Sequence, residues 1–254
     1  MNIEGHAALV TGGGSGLGEA VARELARLGA KVAVLDVNAA NAQRVAGAIG
    51  GLALTADICD TASLTAALDA AEAAHGTARM VMNIAGIGTA KRVVGKDGQP
   101  APLEDFERVI RVNLIGTYNV VRLAAARLLK LAPLQGGERG VMLMTASVAA
   151  YDGQVGQEAY SASKGGIVGM TLPLARDLAQ HGVRVCTIAP GLFATPLMRQ
   201  LPEPVQQSLA ASIPFPPRLG QPEEFAALAA HIVTNGHLNG EVIRLDGALR
   251  MAPR

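Results

Sequence analysis

The chain has 254 residues, a formal net charge of +1, a 50% hydrophobic share, 3% aromatics and no tryptophan. That charge gives no global electrostatic reason to expect a nucleic acid or an anionic membrane as partner. The core must be aliphatic, and 30 glycines without a repeat fit many tight turns rather than a collagen or a linker.

Short apolar runs alternate with longer amphipathic segments. The first run, 7–10, reads as a strand and leads into Thr11-Gly12-Gly13-Gly14-Ser15-Gly16-Leu17-Gly18, which opens a helix expected over 18–28. Gly12 permits the turn, and Gly16 and Gly18 let the backbone approach a pyrophosphate. The helix N-terminus adds unpaired N–H groups and a partial positive charge. A second strand, 32–35, ends at Asp36, 24 residues after Gly12. A carboxylate there accepts both adenosine ribose hydroxyls and repels a 2′-phosphate. No basic residue stands beside it at Gly13, Val37 or Asn38, so NAD is expected rather than NADP. A helix over 41–49 and a strand over 52–54 follow, then Asp57-Ile58, a pair suited to hold an adenine edge.

A helix over 61–75 and a strand over 80–82 lead to an irregular insertion, 88–102, carrying Lys91, Arg92 and Lys96 against Asp97 alone. A local charge of about +2 there suits the phosphates of coenzyme A, with a solvated basic loop as the plainer reading. One long helix is expected over 103–131, then a strand over 141–144 with Ser147 just beyond it. The next helix, 158–181, carries Tyr160 and Lys164, four positions apart and therefore on one face. An ammonium beside a phenol favours the phenolate and so makes a tyrosine usable as a base. Ser147 adds a hydroxyl for a substrate oxygen. Pro173 sits inside this helix and predicts a kink or a change of packing.

The remaining elements are a strand over 183–188, an irregular loop over 191–221, a helix over 222–234 and a strand over 242–245. The loop holds Leu192, Phe193, Leu197, Met198, Leu201, Leu209, Ile213 and Phe215, an apolar set suited to an acyl chain or a steroid. Strand–helix alternation throughout predicts a doubly wound, parallel, seven-stranded α/β sheet of the Rossmann type with helices on both faces. One domain spanning 1–254 is expected, with the insertion and the loop as functional excursions. Cys59 and Cys186 read as buried, reduced thiols, and the five scattered histidines predict no metal. A strand-like run begins within six residues of the N-terminus, with no signal-like segment and no apolar stretch of about 18 residues. A soluble cytoplasmic protein is the expectation.

Thr11-Gly-x-x-x-Gly-x-Gly18, Asn83-Ile84-Ala85-Gly86, Asn113, Ser147, Tyr160-x-x-x-Lys164 and Pro190-Gly191 occur in one order along the chain. This set resembles the short-chain dehydrogenase/reductase family. Further segments, among them Thr145-Ala-Ser-Val-Ala-Ala and Gly153-Gln-Val-Gly-Gln, are similar to its branch that acts on 3-hydroxyacyl-CoA. The resemblance implies an NAD-dependent interconversion of a 3-hydroxyacyl-CoA and a 3-oxoacyl-CoA. Tyr160 would take the hydroxyl proton, Lys164 would lower its pKa and hold the nicotinamide ribose, Ser147 would bind the substrate oxygen, and Asn113 would hold a relay water. Cofactor contacts are implied at Gly12, Ser15, Leu17, Gly18, Asp36, Asp57, Ile58, Asn83, Ile84, Tyr160, Lys164, Phe193 and Thr195. Ile84 replaces the family's second asparagine, so only backbone contacts can persist there. The family also implies a D2 homotetramer built on the long helices. A hydroxysteroid dehydrogenase, a 3-oxoacyl carrier-protein reductase and a non-catalytic scaffold are the competing readings, and Asp36 argues against the reductase.

Overall fold

The computed structural model describes residues 1–88 and 90–253, with the side chain of Leu197 outside the described set. Seven strands form one sheet: β1 (Ala7–Thr11), β2 (Lys31–Asp36), β3 (Leu52–Thr55), β4 (Met80–Asn83), β5 (Gly140–Thr145), β6 (Val183–Pro190) and β7 (Val242–Leu245). All pair in parallel, in the order β3-β2-β1-β4-β5-β6-β7. The order reverses between β1 and β4, whose last residues Thr11 and Asn83 lie side by side. In such sheets the crevice beyond the C-terminal ends at this switch point is where ligands bind.

Successive strand residues point to opposite faces, so an aliphatic strand needs cover on both. Val10, Val34, Met82, Leu143 and Ile188 pack under α1 (Gly16–Arg27), α2 (Ala39–Ile49) and α9 (Pro222–Thr234). Their neighbours Leu9, Leu35, Val81, Met142 and Val185 pack under α3 (Thr61–His75), α5 (Thr117–Leu128) and α6 (Glu158–Ala179). The expected fold class is therefore present, with strands and most helices within two residues of expectation.

Three expectations change. The single helix over 103–131 is instead α4 (Leu103–Ile110), a π-helical segment Arg111–Gly116 and α5. The widened turn sits where Asn113 is pulled onto the backbone of Ile87, accepting from its N–H at 2.8 Å and donating to its carbonyl at 2.9 Å. Thr117 Oγ1 donates to the freed Asn113 carbonyl at 2.7 Å. Single π turns inside α-helices commonly mark functional positions. The loop over 191–221 is not irregular throughout. It contains α7 (Pro196–Arg199) and α8 (Glu203–Ala211), the latter with a proline in its first turn, where the missing N–H costs nothing. The insertion likewise folds back on itself through an antiparallel bridge between Val94 and Pro100. Pro173 lies inside an uninterrupted α6.

Candidate active site

The glycine-rich turn is drawn tight by the chain's own atoms. Gly12 adopts φ +63°, and a Cβ there would lie 2.7 Å from Ala85 Cα. A Cβ on Gly18 would lie 2.1 Å from the Gly12 carbonyl oxygen. Only hydrogen fits at either position, so helix α1 starts directly against the turn after β1, and that turn lies against Ala85 just past β4. Ser15 is the N-cap residue of α1, and its hydroxyl makes no capping bond. Asp36 closes the far edge: its carboxylate accepts from Gly14 N–H at 3.0 Å and Asn38 N–H at 2.9 Å.

These groups wall a cavity of about 470 Å³. Gly12, Ser15, Leu17 and Gly18 line one side, Asp36, Asp57 and Ile58 the next, and Ile84 and Thr195 the last. Asp57 is held by the Cys59 N–H at 2.8 Å, and the Ile58 carbonyl by the Asn119 amide at 2.8 Å. A glycine-rich turn, a helix N-terminus with free N–H donors and a carboxylate acceptor at the far rim are what a dinucleotide requires, so the residues fit such a cofactor.

A second cavity of about 380 Å³ shares Leu17, Ile84, Gly86 and Ile87 with the first and is lined by Ser147, Tyr160 and Lys164. Ser147 caps a 3-10 turn, Val148–Ala150, its Oγ accepting from Ala149 N–H at 3.1 Å. Tyr160 and Lys164 stand one turn apart in α6, as their spacing predicts. Asn113 joins them from the π-helical segment. A Cβ on Gly86 would meet both Asn113 Oδ1, at 3.2 Å, and Lys164 Nζ, at 3.5 Å. The four candidate catalytic residues thus come from three elements and converge on one place.

Burial dominates the electrostatics of the pair. Lys164 Nζ donates to the Thr145 carbonyl at 2.6 Å and lies 5.7 Å from the Tyr160 ring centroid. Burial lowers its pKa to about 8. Burial likewise raises the Tyr160 pKa, with only the Ser147 hydroxyl pulling it down. In this geometry the Lys164 ammonium is turned to the Thr145 carbonyl at the end of β5.

Asn83 and Phe193 fall outside both cavities. Asn83 Nδ2 donates to the Leu143 carbonyl at 3.2 Å, tying β4 to β5. Phe193 packs edge-on against Phe225 and faces a separate cavity of about 220 Å³ with Ile213. Of the other apolar loop residues, Leu192 and Met198 line the Ser147 cavity, whereas Phe215 is exposed. Lys91 is ion-paired with Asp105 on α4. Cys59 is half-buried rather than buried, and its thiol donates to the Arg111 carbonyl at 3.4 Å.

Sequence reasoning missed Gln154, Gln157 and Met251, which line the Ser147 cavity. No local pattern marks Met251. It is brought there by the C-terminal segment, where the Ala252 carbonyl accepts from Gln154 Nε2 at 2.9 Å and the Pro253 carbonyl from Val155 N–H at 3.1 Å. Arg44 was missed too. It lies in the middle of α2 and reaches back to the glycine turn, donating to the Gly14 carbonyl at 2.9 Å.

A sequence profile described as "short chain dehydrogenase" matches residues 6–206. The chain belongs to the short-chain dehydrogenase family. It is an oxidoreductase, and its cofactor is of the nicotinamide class. It is 52% identical over 255 residues to the 3-hydroxyacyl-CoA dehydrogenase type-2 of Bos taurus, covering 99% of this chain and 98% of the relative. A crystal structure of 3-hydroxyacyl-CoA dehydrogenase type-2 from Mycobacterium avium superimposes with a TM-score of 0.95 at 44% identity, covering 98% of each chain. A 3-ketoacyl-(acyl-carrier-protein) reductase from Brucella melitensis, crystallised with NADH, gives a TM-score of 0.87 at 34% identity, covering 98% of this chain and all of that one.

Proposed function

We propose that this short-chain dehydrogenase uses NAD to interconvert 3-hydroxyacyl-CoA and 3-oxoacyl-CoA. The observation that carries the substrate class is 52% identity over nearly the whole of both chains to an enzyme named for it. What supports NAD over NADP is the Asp36 carboxylate, pinned by two backbone N–H groups at the edge of the glycine turn. It accepts ribose hydroxyls and opposes a 2′-phosphate.

In this reading Ser147 donates a hydrogen bond to the substrate oxygen, and Tyr160 takes the hydroxyl proton. A bound nicotinamide would supply the acceptor for the hydride leaving the carbon that bears the hydroxyl. Lys164 supplies the positive charge that the tyrosinate needs and holds the nicotinamide ribose. Asn113 keeps the π-helical segment against Ile87 and holds the proton-relay water beside Lys164. Leu192, Met198 and Met251 give the substrate cavity an apolar side suited to an acyl chain. Arg92 and Lys96 remain the cations of the insertion available to the phosphates of CoA.

A panel of 3-hydroxyacyl-CoA esters of graded length, hydroxysteroids and simple secondary alcohols, each with NAD and NADP, tests the reading. The expected outcome is a kcat/KM at least about tenfold higher for the thioesters with NAD than for any other pairing. Turnover with NADP alone would remove the role given to Asp36, and a steroid preference would move the substrate class.

The assembly belongs to the same reading. Leu103, Phe106, Ile115, Tyr118 and Leu172 are exposed on α4 to α6. A homotetramer would cover them. Light scattering at micromolar concentration should give four times the chain mass, and a monomer mass would rule the tetramer out.

A further inference from the structure

Arg44 is a cation beside the adenosine end of the cofactor cavity that the proposed function leaves unused. Its Nη2 donates to the Gly14 carbonyl at 2.9 Å, and the N–H of the same glycine donates to the Asp36 carboxylate at 3.0 Å. The guanidinium and the carboxylate that selects the ribose therefore flank one residue. A Cβ on Gly14 would meet Asp36 Oδ2 at 2.7 Å and Asn41 Cβ at 2.8 Å, so only glycine lets Asp36 pack this closely on the turn. Arg44 does not pair with Asp36. It pairs with Glu19 on α1, Nη1 with Oε1 at 2.9 Å and Nη2 with Oε2 at 2.7 Å. Glu19 also takes Arg23, at 2.9 and 2.7 Å to Nε and Nη2. One carboxylate thus faces two guanidinium groups.

We infer that Glu19 is a specificity-determining residue for the cofactor: it holds Arg44 away from the position a 2′-phosphate would take, and Arg44 is a latent phosphate ligand. The inference rests on the NAD reading of Asp36 and extends it. A planar guanidinium matches a phosphate with two parallel hydrogen bonds, which is how this side chain recognises 2′-phosphates beside nucleotide folds. While both its Nη groups are engaged by Glu19, that fork is occupied. Asp36 opposes the phosphate by charge, and Glu19 opposes it by withholding the cation that reaches the glycine turn. Arg44 is half-exposed, so each contact is screened and the separate effects are moderate.

The prediction is a coupling between three positions, read by calorimetric binding of NAD, NADP and 2′,5′-ADP as well as by turnover. Asp36→Asn keeps one acceptor for the Gly14 N–H while removing the charge, and it should admit NADP weakly. Adding Glu19→Gln should tighten NADP and 2′,5′-ADP by about tenfold more and leave NAD within about twofold. Adding Arg44→Met to that pair should erase the gain. No gain from Glu19→Gln, or a gain that survives Arg44→Met, overturns the inference. Equal binding of NAD and NADP by the unaltered chain would instead discredit Asp36 as the selector, while the Glu19–Arg44 coupling would still be read on the Asp36→Asn background. Thermal melts of each variant within a few degrees of the parent separate these outcomes from misfolding.

Discussion

Replacing Tyr160 with phenylalanine is expected to lower kcat/KM for alcohol oxidation by about 10³-fold, within the range that a positioned acid or base contributes. The substitution keeps the ring that packs at the start of α6 and removes one hydroxyl, so the fold should be untouched. Binding of NADH by fluorescence should stay within about threefold, because the cofactor cavity is formed by the glycine turn and Asp36 rather than by the phenol. The pH profile is the sharper readout. Burial raises the Tyr160 pKa, so a small fraction is ionised at neutral pH, and oxidation in the parent should speed up with rising pH. Tyr160→Phe should flatten that rise. A variant that kept full turnover would remove Tyr160 from the role of acid and base.

Lys164→Met should stabilise the folded protein at pH 7 while abolishing efficient turnover. The lysine is buried with a pKa lowered from 10.5 to about 8. Below pH 8 both folded and unfolded chains carry the proton, and the folded one pays the full cost of burying it. That cost is about 3 kcal/mol, since each tenfold change in proton affinity is about 1.4 kcal/mol. Between about 8 and 10.5 the unfolded chain binds more protons, so the stability of the parent rises with pH across that window. Methionine removes the cost and also the 2.6 Å bond to Thr145, which returns about 1 kcal/mol. The net gain of about 2 kcal/mol corresponds to a Tm increase of about 5 °C at pH 7 for a chain of this length. The gap should shrink toward pH 10.5. A variant that melts lower than the parent by the same amount at every pH would show that the hydrogen bond, not the burial, dominates. A stabilising change at the centre of a site is the expected signature of a group retained for chemistry.

The nucleotide half of the site was legible because its chemistry is local. A strand, a turn that needs glycine and a helix N-terminus occupy consecutive positions, and Asp36 ends the next strand, its carboxylate bonded to the N–H groups of Gly14 and Asn38. Such features follow from backbone geometry over a few residues. Asn83 and Phe193 are implied by resemblance alone; in this structure the Asn83 amide bonds the Leu143 carbonyl and Phe193 packs on Phe225. The single helix over 103–131 was misread because its apolar pattern continues through the π-helical segment. What breaks it is a bond from Asn113 to Ile87, 26 positions away.

The sequence by itself determined the seven strands, their doubly wound order, the glycine turn with its carboxylate, and the placing of Tyr160 and Lys164 on one helix face. Each rests on a short period or a turn residue, interactions that act within one element or between consecutive ones. Tertiary structure decided where Lys164 points, that Asn113 stands beside it, that Met251 closes the substrate side and that Arg44 reaches the turn at Gly14. Those contacts join residues 19, 26 and 30 positions apart for Lys164, Asn113 and Arg44. No periodicity encodes them, because they depend on which strand ends the fold brings together and on how much water is left between them.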